Sequence, residues 1–173
     1  MNVLVQFNKI STFIFDVDGV LTDGTLFVLS GEEQIRRMNV KDGLGLQMAL
    51  RNGYSVIIIS GGYSAPVKDR LEKLGITEIH MAITDKKEFV NDYLVHQKIE
   101  WNEILFMGDD LPDLDLLQAV GLSCCPADAV MEIKQVSHYI SHLKGGEGCV
   151  RDVIEKVLKV NDHWRMESGI VSK

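Results

Sequence analysis

Asp16 and Asp18 flank a single valine at the end of the apolar run Phe13-Ile14-Phe15, and Gly19 follows at once. A second acidic group, Gly108-Asp109-Asp110-Leu111-Pro112-Asp113, closes another apolar stretch, Ile104 to Met107. Between them stand Ser60-Gly61-Gly62, after a third apolar run, and Lys86 in Thr84-Asp85-Lys86-Lys87. Carboxylates gathered with water make a hard, all-oxygen site suited to Mg²⁺. A lysine and a serine beside them supply donors for phosphoryl oxygens. A carboxylate next to the metal can attack phosphorus and form an acyl phosphate. A second carboxylate two residues on can carry the proton. This chemistry requires that the runs be neighbouring strands whose ends converge.

Taken singly, each residue has a plainer reading. Ser60 can be a turn residue and Lys86 a solvated lysine at a helix start, as Lys87 beside it is. Lysine at a helix N-terminus opposes the helix dipole, which points to an anionic partner. Asp109, Asp110 or Asp113 can cap the helix that follows. Arg70, Lys73, Lys41 and Arg151 can be ordinary surface charges, although Arg70 and Lys73 share a helix face and could meet a substrate carboxylate. The five histidines show no ligand spacing.

The elements that must position these residues follow from periodicity and punctuation. Residues 12–17 and 54–59 read as buried strands, with shorter strands at 78–81, 104–107, 122–124 and 139–141. Residues 25–29 and 34–39 read as a hairpin around Ser30-Gly31-Glu32. Asp42 is placed to cap a helix over 43–51. Further helices are expected at 65–74 with Pro66 in the first turn, from 84 to 97, at 114–119, at 127–135 and at 149–160. Residues 1–10 read as a lead-in, 145–148 as a flexible glycine loop, and the stretch after Asn161 as a tail, frayed or docked on another subunit. Alternating strands and helices give an α/β, doubly wound parallel sheet. In such sheets ligands bind outside the carboxyl ends of the strands, where the acidic motifs fall.

Composition narrows the partners. A length of 173 residues suits one domain with its own core, here residues 1–173 with a hairpin flap over about 22–40 and a tail over about 161–173. A formal charge of -7 argues against nucleic acid or an anionic membrane as main partner. No run approaches the roughly 18 apolar residues of a membrane span. Cys124, Cys125 and Cys149 lack zinc-ligand spacing and read as reduced thiols of a cytoplasmic protein.

Asp16-Val17-Asp18-Gly19-Val20-Leu21-Thr22 resembles the first motif of the haloacid dehalogenase superfamily. Ser60, Lys86 and Gly108-Asp109-Asp110-Leu111-Pro112-Asp113 match its second, third and fourth motifs in order. The resemblance implies that Asp16 is the nucleophile and Asp18 the general acid/base, with the Asp18 backbone carbonyl on Mg²⁺. It implies that Ser60 and Lys86 hold the phosphoryl group, that Asp109 binds the metal, that Asp110 supports it, and that Asp113 orients Lys86. Asn39-Val40-Lys41-Asp42-Gly43, Ser60-Gly61-Gly62, Arg70 and Gly145-Gly146-Glu147-Gly148-Cys149-Val150-Arg151 are similar to the capless subfamily of 3-deoxy-D-manno-octulosonate 8-phosphate (KDO 8-phosphate) phosphatases, along nearly the whole chain. That likeness implies a Mg²⁺-dependent phosphatase in lipopolysaccharide precursor synthesis and a homotetramer whose hairpins and tails close neighbouring sites. Gly61, Gly62, Arg70, Lys73 and Lys41 become the candidate substrate contacts. Many relatives carry a long charged side chain where this chain has Gly62, which leaves the sugar acid open. A nine-carbon ulosonate 9-phosphate is the alternative substrate, and a non-catalytic tetramerisation module the alternative role.

Overall fold

Thr12, Phe13, Ile14 and Phe15 are all buried, as a strand covered on both faces must be. The computed structural model describes residues 3–29 and 34–165. In chain order its strands are β1 (Thr12–Phe15), β2 (Phe27–Val28), β3 (Gln34–Ile35), β4 (Ser55–Ile59), β5 (Glu78–His80), β6 (Ile104–Met107), β7 (Leu122–Cys125) and β8 (Tyr139–Ile140). The helices are α1 (Val3–Lys9), α2 (Val40–Arg51), α3 (Ala65–Lys73), α4 (Lys86–Gln97), α5 (Leu114–Leu117), α6 (Met131–Val136) and α7 (Cys149–Val160). Six strands form one parallel sheet in the order β5-β4-β1-β6-β7-β8. The chain leaves β1 toward β4 on one side and reaches β6 on the other, so β1 marks the switch point where a crevice opens.

Side chains alternate across the sheet with the period of two that a strand imposes. Phe13, Phe15, Val56, Ile58, Leu105 and Met107 face one core, closed by α1, α2, α3 and α7. Ile14, Ile57, Ile59, Ile104 and Phe106 face the other, closed by α4, α5 and α6. Both layers are therefore covered, and the fold is the expected doubly wound α/β sheet. Among the described residues no helix is long and apolar enough to cross a membrane.

Local departures from the sequence reading have identifiable causes. The lead-in forms α1, because Phe7 inserts into the core and stacks edge-on against Tyr139. Among the described residues, the expected strands at 25–29 and 34–39 pair over Phe27–Val28 and Gln34–Ile35, all four exposed to solvent. The expected turn at Ser30-Gly31-Glu32 lies outside the described residues. The helix expected at 127–135 starts later, at Met131, and that expected at 114–119 ends at Leu117. Residues 161–165 dock on their own chain: His163 Nδ1 meets Tyr54 Oη at 2.9 Å, and Trp164 lies under the Arg151 guanidinium at 4.5 Å. The rest of the expected tail is outside the described residues.

Asn39, not Asp42, caps α2. Its side-chain oxygen accepts from the Lys41 N–H at 2.9 Å, and the helix begins at Val40. Asp42 is buried within the first turn and accepts the Arg151 N–H at 2.7 Å, which ties α2 to the start of α7. Asp42→Ala should lower unfolding stability by about 1–2 kcal/mol at pH 5, the scale of a lost cap. Burial raises the Asp42 carboxyl from 3.8 to about 6, against the opposing pull of the Arg151 backbone N–H. Ionisation therefore costs the folded state as pH climbs through 6, and denaturant melts at pH 5 and 8 should show the deficit shrinking at pH 8.

Candidate active site

Three parallel strands deliver the site. The ladder runs one residue past β1, with Asp16 N–H donating to the Met107 carbonyl at 3.1 Å, and past β4, with Ser60 N–H donating to the His80 carbonyl at 2.9 Å. Asp16, Ser60 and Gly108 are thus held by the sheet itself, side by side. Lys86 arrives as the first residue of α4, where Asp85 caps the helix by accepting the Glu88 N–H at 2.9 Å.

The backbone beyond β1 turns within residues 17–22 and is closed by Thr22 N–H on the Val17 carbonyl at 3.0 Å. Gly19 makes that turn at φ +84°, and a Cβ there would fall 2.1 Å from Asp109 Oδ2. Only glycine lets the loop lie directly against the second acidic motif. The 145–148 segment, expected to be a flexible loop, packs under this turn. Gly146 N–H donates to the Val20 carbonyl at 3.0 Å and Gly145 N–H to Asp128 Oδ1 at 2.9 Å. A Cβ on Gly145 would overlap the Gly19 carbonyl oxygen, so glycine is required for the close approach.

The buried Lys86 ammonium, 5% exposed, bridges Asp16 Oδ1 at 2.8 Å and Asp113 Oδ1 at 2.5 Å. Asp113 uses its other oxygen to accept the Asp109 N–H at 3.0 Å and the Asp110 N–H at 3.4 Å. It therefore orders the acidic turn as well as the lysine. Asp110 is exposed and caps the same turn through the Leu111 N–H at 2.8 Å. Ser60 Oγ accepts the Gly62 N–H at 3.1 Å, which leaves the hydroxyl proton for another acceptor. Burial alone would lower the Lys86 pKa, but Asp16 and Asp113 outweigh it and raise it, so the ammonium stays charged.

A cavity of about 440 Å³ collects Asp16, Asp18, Ser60, Gly61, Gly62, Lys86, Asp109, Asp110 and Asp113 at its walls. The structure thus brings together the chemistry-bearing side chains of the four motifs: Asp16, Asp18, Ser60, Lys86, Asp109, Asp110 and Asp113. It does not bring Lys41, Arg70 or Lys73 to this cavity. Lys41 and Lys73 are exposed, and Arg70 lines two separate pockets beside α2 and the hairpin. One residue escaped the sequence reading. Arg36, on the arm leading from β3, holds Asp18 through Nε–Oδ1 at 2.6 Å and Nη2–Oδ2 at 3.3 Å.

Carboxylate oxygens of Asp16, Asp109 and Asp113 lie within 4.8 Å of one another. Asp113, not Asp18, completes this cluster; the Asp18 side chain is turned to Arg36. Burial pushes the Asp16 carboxyl from 3.8 up to about 6, Asp113 adds to the rise, and Lys86 counters it only in part. Burial, then Asp16, Asp113 and Asp110, push Asp109 up to about 8. The donors are all hard oxygens whose charge one lysine does not offset, which fits a divalent cation such as Mg²⁺ held by Asp16 and Asp109.

A family model described as haloacid dehalogenase-like hydrolase matches residues 72–151, the stretch that carries Lys86, Asp109 and Asp113; this is the class that the fold and site define. The 3-deoxy-D-manno-octulosonate 8-phosphate phosphatase of Yersinia pestis is 31% identical over 169 residues, covering 98% of this chain and 90% of that protein. The phosphatase of the same description from Salmonella typhi is 34% identical over 157 residues, covering 91% of this chain and 84% of its own. The crystal structure of the Moraxella catarrhalis 3-deoxy-D-manno-octulosonate 8-phosphate phosphatase, in complex with magnesium, phosphate and KDO, superposes with a TM-score of 0.90 at 34% identity and covers 93% of each chain. The chain belongs to the KDO 8-phosphate phosphatase family of haloacid dehalogenase-like hydrolases.

The raised Asp109 carboxyl makes a stability prediction. In the metal-free protein it keeps a proton, between pH 3.8 and about 8, that the unfolded chain has released. Its contribution is present at low pH and lost as pH rises through 8. Asp109→Asn should therefore raise the melting temperature of the metal-free protein at pH 8. It should also abolish the further rise that Mg²⁺ gives the wild type, both read by calorimetry with chelator and with the ion.

Proposed function

We propose that the chain is a Mg²⁺-dependent phosphomonoesterase that hydrolyses KDO 8-phosphate to KDO and phosphate, in lipopolysaccharide precursor synthesis. The observation that carries this reading is Asp16: a buried carboxylate at the switch point, fixed by Lys86, with Ser60 on the next strand and Asp18 two residues on. Fit to the relatives, one of them holding magnesium, phosphate and KDO together, supports the substrate and the ion.

Asp16 attacks phosphorus from its free oxygen, and the bond to the sugar oxygen breaks as Asp18 delivers a proton to it. The phosphoryl group is then carried on Asp16 as an acyl phosphate. Water, losing its proton to Asp18, attacks that phosphorus, which frees Asp16 and inorganic phosphate. Ser60 and Lys86 bind the equatorial oxygens throughout, and electrostatic positioning carries most of the rate. Mg²⁺, when bound by Asp16 and Asp109, neutralises phosphoryl charge and lets the two carboxylates stay ionised beside it.

The single hydrolase domain spans residues 1–173, with the hairpin as a flap beside an uncapped site, and the protein works in the cytoplasm. Three buried free cysteines agree with a reducing compartment. The assembly is a homotetramer. Its support is the exposed apolar hairpin, with Phe27 57% and Val28 72% exposed, a surface suited to a second copy. Arg70, Lys73 and Lys41 do not line their own cavity, so as substrate contacts they would act at a neighbour's.

Asp16→Asn should cut phosphate release by at least about a thousandfold while leaving the melting profile of a folded protein, as loss of a nucleophile does. A malachite-green assay on KDO 8-phosphate and on a nine-carbon ulosonate 9-phosphate should show the higher kcat/KM for the former. Normal turnover by Asp16→Asn, or preference for the nine-carbon acid, would overturn the respective assignments.

A further inference from the structure

The arm of the hairpin reaches Asp18 through the Arg36 side chain. The Arg36 side chain is 5% exposed, although the strands that precede it are exposed. Its guanidinium lies side-on against Asp18, whose side chain is 39% exposed. The two contacts are unequal. Oδ1 is gripped by Nε at 2.6 Å, whereas Oδ2 is held by Nη2 at only 3.3 Å. Oδ2 is also the oxygen nearest Gly62, 3.5 Å from where a Cβ would stand, and Gly62 lines the cavity. The same hypothetical Cβ would lie 3.8 Å from Arg36 Nη2. The Arg36–Asp18 pair therefore sits directly beside the Gly62 backbone at the cavity wall.

We propose that Arg36 is the positioning residue of the proton-transfer group: it clamps Asp18 by Oδ1 and presents Oδ2 to the leaving oxygen. A carboxylate on a strand-end loop has two soft side-chain torsions, and a planar guanidinium engaging both oxygens fixes its plane. The shorter contact sets the orientation. The longer one yields to the leaving oxygen without releasing the clamp. This makes the hairpin arm a functional part of the site. A loosened hairpin disorders Asp18, whereas Asp16, Ser60 and Lys86 keep their sheet and helix supports. The inference rests on Asp18 being the group that protonates the departing oxygen.

Leaving-group dependence tests it. An alkyl oxygen must be protonated as it departs, whereas p-nitrophenolate is a stable anion that needs little help. A misplaced Asp18 therefore damages the alkyl ester more than the aryl ester. kcat/KM reports the first phosphoryl transfer, free of the later hydrolysis step. For Arg36→Ala, kcat/KM should fall at least about tenfold further on KDO 8-phosphate than on p-nitrophenyl phosphate, a fraction of what acid catalysis supplies. Arg36→Lys, which keeps the charge but not the two-point contact, should fall between. Equal losses on both substrates, or none, would overturn the proposal, as would a loss confined to KM. If wild type fails on KDO 8-phosphate itself, the substrate reading falls. The same ratio is then taken on a primary sugar phosphate that it does hydrolyse, so Arg36 is still decided. Should Arg36→Ala not fold, Arg36→Gln, which keeps the stem packing, takes its place with the same expected ratio.

Discussion

Lys86 between Asp16 and Asp113 is the interaction on which the rest of the site depends. A buried sheet end that gathers several carboxylates is electrostatically hostile, since burial and mutual repulsion both disfavour ionisation. One ammonium, bonded to Asp16 and Asp113, favours their ionised forms below the surface. The lysine in turn stands at a helix N-terminus, where the dipole opposes it, and only its two carboxylate partners offset that position. What Lys86 leaves uncompensated is centred on Asp109, whose carboxyl is raised furthest of the two strand-end aspartates that would hold the metal. The same imbalance favours binding of a divalent ion.

Supports for this arrangement are mostly backbone. Asp113 takes two N–H groups of the acidic turn and the lysine on one carboxylate. Gly108 is what allows it, because a Cβ there would meet Asp113 at 2.5 Å. Gly19 and Gly145 stack the first loop, Asp109 and the 145–148 segment within backbone contact distance. Rigid positioning is what phosphoryl transfer asks of a protein, since little covalent chemistry falls to it beyond the nucleophile. The exception is Asp18, which is held from a thin, solvent-exposed hairpin.

The clustered carboxylates were legible in the sequence because strands end abruptly at them: an apolar run that stops at Asp16 or at Gly108-Asp109 has few other readings. The sheet was legible for the same reason, and α7 was found to the residue because its apolar face recurs every three to four positions. Other features depend on contacts between distant segments. Asp42 has the type and place of a cap, but the N–H it accepts belongs to Arg151, 109 residues on. Arg36 and Arg37 are adjacent and chemically alike. Strand alternation says that one faces inward, but nothing local says which, and the structure buries Arg36 on Asp18 while Arg37 pairs with Asp23 at the surface. Residues 1–10 carry too short a pattern to announce α1, which is stabilised by Phe7 in a core assembled from α7 and the sheet.

The central claim is that cations, one built in and one bound, hold a set of mutually repelling buried carboxylates ionised. Carbon-13 NMR of the aspartate carboxyls, titrated from pH 3 to 9 with and without Mg²⁺, measures it directly. The account predicts that without the ion Asp16 titrates near 6 and Asp109 near 8, and that saturating Mg²⁺ moves both down into or below the ordinary carboxylate range. Carboxyls that titrate near 3.8 in the metal-free protein, or that ignore Mg²⁺, would contradict it.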